Sequence, residues 1–80
     1  MKIIKVYDNG GETLDKYTVV MTKKHGSRCN PCLGLSDNPT HPTYGFSQWG
    51  ECVMGKHLGK RIWFNDLPDE VRSHVFERVI

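Results

Sequence analysis

Cys29 and Cys32 flank Asn30-Pro31, a spacing that lets two sulfurs reach one metal ion from a tight turn stiffened by the proline. A tetrahedral structural zinc needs two more donors. Cys52 and His57 could supply them, with His41 or His25 as substitutes, and Gly34 sits just beyond the pair much as glycines do in zinc knuckles. The second pair is looser, because four residues separate Cys52 from His57. With only one well-spaced pair, the expectation is that the chain carries no cofactor; a small zinc-stabilised domain that binds nucleic acid is the alternative. A redox role for the pair would require it to open a helix whose dipole lowers a thiol pKa, whereas Pro31 and Gly34 introduce a loop or strand. Nucleophilic chemistry can be spelled with Cys52 or Cys29 as nucleophile, His41 or His57 as base and Asp37 or Asn38 as orienter. Nothing in the sequence fixes their geometry, so no catalytic residue is assigned and enzymatic activity is not expected.

Two further stretches carry chemistry only weakly. Gly55-Lys56-His57-Leu58-Gly59-Lys60-Arg61 could hold a phosphate against backbone N–H groups, but it lacks the P-loop pattern and reads better as a glycine-bearing turn before a strand. Asp8-Asn9-Gly10-Gly11-Glu12-Thr13 offers oxygens beside glycines, too few and too closely spaced for a calcium loop. It reads as a turn.

The elements that must position these residues are constrained by size. Eighty residues make one domain, spanning 1–80, with a small core. A composition 38% hydrophobic and 25% charged suits an ordinary globular protein, and no apolar run approaches the ~20 residues of a membrane span. No secretory signal opens the chain, so cytoplasmic residence is expected, with reduced thiols. The net charge of +2 is too slight for tight nucleic-acid binding. Its basic residues cluster at Lys23, Lys24, His25 and Arg28 and again at Lys56, His57, Lys60 and Arg61, which points to weak, salt-sensitive contacts with nucleic acid at most.

Lys2 to Asp8 alternates and breaks at Asn9-Gly10, the dipeptide suited to a type I′ hairpin turn. A returning strand is predicted over about Thr13 to Thr22, with Tyr17, Val19 and Met21 on the buried side. A short third strand is predicted over Cys32 to Ser36, after Pro31. From Asp37 to Gly50 the prolines exclude a helix, and the stretch reads as a structured loop carrying Tyr44, Phe46 and Trp49. Arg61 to Phe64 reads as a last strand. A helix is predicted from about Pro68 to Val79, capped by Asn65 or Asp66, with Val71, Val75, Val79, Leu67, Phe76 and Ile80 on its apolar side. The expected fold is α+β: a small antiparallel sheet of three or four strands, begun by an N-terminal hairpin and covered by the terminal helix.

Tyr7-Asp8-Asn9-Gly10-Gly11, Asp15-Lys16-Tyr17-Thr18-Val19-Val20, Gly34-Leu35-Ser36-Asp37-Asn38-Pro39, Gly45-Phe46-Ser47-Gln48, His57-Leu58-Gly59-Lys60-Arg61 and Asp66-Leu67-Pro68 together resemble a family of small uncharacterised bacteriophage and prophage proteins. The resemblance covers most of the chain and does not require the Cys29 and Cys32 pair. It implies a phage-encoded protein in the cytoplasm of its host that binds and modulates or inhibits a host or defence factor. Such a role needs a scaffold and an exposed loop rather than catalytic groups. The expected contact region is residues 38–61. Tyr44, Phe46 and Trp49 would be its aromatic anchors, His57, Lys60 and Arg61 its charges, and a protein or a small anionic ligand its partner.

Overall fold

In the computed structural model the described residues are 2–23, 25–43 and 45–79. Tyr44, Ile80 and Lys24, three residues singled out above, lie outside them. Five strands, β1 (Ile3–Asp8), β2 (Tyr17–Met21), β3 (Asn30–Leu35), β4 (Ser47–Cys52) and β5 (Lys60–Ile62), form one antiparallel sheet in the order β4-β3-β2-β1-β5. The helix α1 (Asp69–Val79) completes the α+β fold expected from the sequence.

Cross-strand register divides the side chains between two faces. Val6, Val19 and Leu33 stand opposite one another, as do Tyr17 and Leu35, and these residues with Met21 pack against Leu67, Val71 and Val75. This is the principal core, and Tyr17, Val19 and Met21 lie on its side as their alternation predicts. On the other face Tyr7, Val20 and Cys32 form a second, smaller cluster covered by Cys52, Met54 and Leu58. The connection from β4 to β5 must reach from one edge of the sheet to the other, and Met54 and Leu58 are the apolar residues it lays over that second face.

Four boundaries differ from expectation, each for a local reason. The first hairpin turns through residues 9–16 instead of a two-residue turn, closed by the Asn9 N–H bond to the Lys16 carbonyl at 2.9 Å. The Asp8 carboxylate accepts from the Gly10 N–H at 2.8 Å, and the Asn9 side-chain oxygen accepts from Gly11 at 2.9 Å and Glu12 at 3.2 Å. These polar side chains give the backbone an alternative to immediate strand pairing. The third strand begins at Asn30 and includes Pro31, which is tolerated because pairing with β2 stops at Cys32 and only β4 lies beside the proline. The stretch read as a loop, Asp37 to Gly50, instead runs into β4 from Ser47 onward, since Ser47 to Cys52 finds a full ladder on β3. The last strand stops at Ile62, and Phe64–Asp66 forms a 3₁₀ turn in which the Asp66 carboxylate accepts from the Trp63 N–H at 2.9 Å.

Gly59 is fixed by two constraints at once. Its φ is +105°, and a β-carbon there would lie 2.3 Å from the Asp8 carbonyl oxygen, so the chain can return to β1 only with glycine at this point.

The helix starts one residue after Pro68, whose carbonyl accepts its first i to i+4 bond from Arg72 at 2.9 Å. Asp66 serves the preceding turn and not the helix. Val71 and Val75 are fully buried, but Phe76 leaves the predicted apolar stripe, being 49% exposed and packed edge-on against Phe64 with ring centroids 5.5 Å apart. His74 takes the buried position. Val75→Asp should therefore abolish the cooperative unfolding transition, by placing an unpaired charge in the core, whereas Phe76→Ser should cost no more than about 1.5 kcal/mol. Urea titrations followed by circular dichroism of both variants check the assignment of helix faces; equal losses would refute it.

Candidate functional site

The residues expected to act together are divided by the strand order. Trp49 lies on the edge strand β4, while Lys60 and Arg61 lie on β5 at the opposite edge; four strand spacings put them roughly 19 Å apart. Phe46 is half-buried and packs over the second face, within 3.6 Å of where a β-carbon on Gly34 would stand. His57 is exposed on a 3₁₀ turn, Lys56–Leu58. There the N–H groups of Leu58 and Gly59 bond back to the carbonyls of Gly55 at 3.1 Å and Lys56 at 3.0 Å. Those two amides are occupied, so they do not form a cradle for phosphate.

The metal-ligand set Cys29, Cys32, Cys52 and His57 is not assembled. Among the described residues no three His, Cys, Asp or Glu side chains converge, and all three cysteines are free thiols. Cys32 and Cys52 do lie together on the second face, whereas Cys29 precedes β3, and its carbonyl accepts from the Ser27 hydroxyl at 3.0 Å. Burial, and then hydrogen bonding with the Cys52 thiol, push the Cys32 thiol up to about 12, the Asp15 and Glu51 carboxylates acting in the same direction. At neutral pH Cys32 is therefore protonated and is not an activated nucleophile.

A groove of about 540 Å³ runs between the hairpin loop at Gly11–Leu14 and the Ser36–Asn38 segment. Its volume falls within the range of about 300–1,000 Å³ typical of small-molecule sites, but its polar groups already serve one another. Lys16 pairs with Asp37 at 3.2 Å, and hydrogen bonding to that carboxylate raises the Lys16 pKa. Glu12 also stands on its wall, so the Lys16 charge is already neutralised by carboxylates and is not open to an anionic ligand.

A smaller groove, about 180 Å³, lies at the opposite edge between Ile3–Lys5 of β1 and Trp63–Phe64. β5 pairs with β1 only from Val6 to Asp8, so among the described residues Ile3 to Lys5 has no strand on that side. A bulge in the β1–β2 pairing falls between Ile3 and Lys5, and Ile4, which it contains, is exposed. Trp63 is 72% exposed, with the Arg61 guanidinium 5.4 Å from its ring centre. Lys5 and Arg61 line the same groove, and Lys2 and Lys60 each stand one residue away along the chain from its lining. Sequence reasoning placed Trp63 and Phe64 in a strand and missed this patch. The signal was the density of apolar residues in Ile62-Trp63-Phe64, more than one face of a three-residue edge strand can bury.

His74 was also missed. Its Nε2 lies 2.9 Å from the Ser47 hydroxyl, tying α1 to β4, while the buried Nδ1 has no partner among the described residues. Desolvation, assisted by the Arg78 charge and opposed by Glu77, lowers its pKa, because protonation would bury an unpaired N–H. No family model matches the chain, and neither characterised proteins nor solved structures give a significant match.

The lowered His74 value sets a sign. Between the folded and unfolded titrations the unfolded chain holds the extra proton, so the stability contribution is intact above about pH 6.5 and is lost as pH falls below it. Chemical denaturation at about pH 7.5 and 5.5 should show wild-type stability falling more than that of His74→Gln. Equal pH dependence in the two would show that another group governs it.

Proposed function

We propose that this chain is a small protein-interaction module that seats an extended segment of a partner protein at the β1–β5 edge. The observation that carries the reading is the exposure of Trp63 beside the groove formed with Ile4 and Phe64. An indole 72% exposed in so small a domain is costly to leave in water and is of the type that dominates interface energetics. The groove, at about 180 Å³, lies below the range of small-ligand sites and suits one large apolar side chain. The surrounding Lys2, Lys5, Lys60 and Arg61 favour a segment whose anchor is flanked by Asp or Glu. Lys60 and Arg61 keep the role expected from the sequence, while Trp63 and Ile4 take the place of Trp49 and Phe46 as anchors. The resemblance to small bacteriophage proteins supports the same class of function, with a host or defence factor as partner in the host cytoplasm.

Selection of random peptides displayed on a surface tests this directly. Wild-type protein should enrich peptides with one aromatic or aliphatic anchor among acidic residues, and backbone NMR shifts on binding should centre on Ile3–Lys5 and Trp63–Phe64. Trp63→Ala should weaken binding by roughly 2 kcal/mol, about thirtyfold, with stability changed by less than about 0.5 kcal/mol. Shifts centred instead on Phe46–Trp49 would return the site to the opposite edge and overturn the reading.

A further inference from the structure

The second face of the sheet holds a separate feature, on the side away from the helix. A cleft of about 290 Å³ is lined there by Asp15, Thr18, Cys32, Gly34, Gly50, Cys52 and Leu58. Cys32 stands opposite Gly50 and Cys52 opposite Asn30, so the two cysteines share a face as diagonal neighbours on adjacent strands. Cys52 packs on the cluster that contains Cys32, as does Met54, which adds a thioether sulfur to the same apolar surroundings. We propose that Cys32 and Cys52 form a binding site for a single soft, thiophilic cation of low coordination number, Cu(I) by its chemistry.

Geometry favours an ion over a disulfide. Diagonal neighbours in an antiparallel pair have β-carbons roughly 7 Å apart or somewhat less, beyond the ~3.5–4.5 Å that a disulfide requires. Two sulfur–metal bonds of about 2.3 Å each span the longer gap without moving the strands. The number of donors selects among metals. Zinc takes four ligands, and among the described residues no third His, Cys, Asp or Glu joins the pair. Soft thiolate and thioether donors favour Cu(I). Binding replaces the two thiol protons by one Cu(I), giving a bis-thiolate complex and two protons released to solvent, with no change of oxidation state. Access is open because a β-carbon on Gly50 would meet nothing within 4 Å. Among the described residues the position directly across from Cys32 is therefore empty space over the thiols, and the Asp15 carboxylate, which stands beside Gly34 on the same face, attracts a cation toward it.

The test is anaerobic titration of the intact protein with Cu(I) alone, against a chromophoric Cu(I) chelator as competitor. Wild type should take up one Cu(I) per chain, with thiolate-to-copper absorption in the ultraviolet. Cys29→Ser should bind as wild type does. Cys52→Ser, at a half-buried edge position, should bind about a hundredfold more weakly, having lost one of two thiolates. Gly50→Val keeps both thiols but fills the space over Cys32, and should weaken binding at least about tenfold while the circular dichroism spectrum stays unchanged. Absence of uptake would overturn the proposal, as would equal binding by Cys52→Ser and wild type, or a loss of affinity in Cys29→Ser as large as that in Cys52→Ser. So would a mass two daltons low in the anaerobic wild type, showing that the pair closes to a disulfide instead.

Discussion

Val19 and Val20 are neighbours on the central strand, point to opposite faces of the sheet and are both fully buried. That pair requires cover on both sides of a five-stranded sheet in a chain of eighty residues. One helix is enough for one face. Val71 and Val75 meet Val19, Leu33 and Leu35 there, and the greater part of the apolar burial follows from that contact. Among the described residues the opposite face receives the Met54 and Leu58 side chains of the β4–β5 connection, with Phe46 beside Gly34 of β3. Its cluster is accordingly thinner.

The distribution of exposed groups follows from this shortage of cover. The connection over the second face spends its residues crossing the sheet, which leaves a cleft beside Cys32 and Cys52, floored by glycines at positions 34 and 50. At the far edge β5 is only three residues long, too short to shield all of β1, so Ile4 and Trp63 remain in solvent beside a stretch of β1 that, among the described residues, has no strand on that side. A short, positively charged edge strand limits indiscriminate strand pairing, and the aromatic groove beside it is the part of the surface best suited to selective contact. Together these features describe a scaffold with two unlike surfaces, one apolar and cationic at the β5 edge, the other sulfur-lined on the opposite sheet face.

The buried polar groups mark where the elements are tied together. Asn30 donates its side-chain N–H to the Met21 carbonyl at 2.9 Å, satisfying the end of β2 where pairing with β3 stops. His74 links the helix to the β4 edge through Ser47, the only strand the helix reaches by a side-chain hydrogen bond among the described residues. Its unpaired Nδ1 makes that link dependent on the neutral imidazole.

The sequence by itself determined the elements whose causes are local. The alternation at Tyr17, Val19 and Met21 named the buried face of β2, the valines at 71 and 75 named the buried side of the helix, and Pro68 with Asp69 and Glu70 located its start. Asn9-Gly10 marked a turn, although Asp8 and Asn9 side chains lengthened it. What the sequence left undecided was pairing across distance. Ser47-Gln48-Trp49-Gly50-Glu51-Cys52 has weak strand character of its own and becomes β4 only because β3 offers a complete ladder. Strand order then put Trp49 and Arg61 on opposite edges, brought Cys32 beside Cys52 instead of Cys29, and left Trp63 outside the core. Each of those outcomes depends on which backbone groups find partners many residues away, and local periodicity carries no information about that choice.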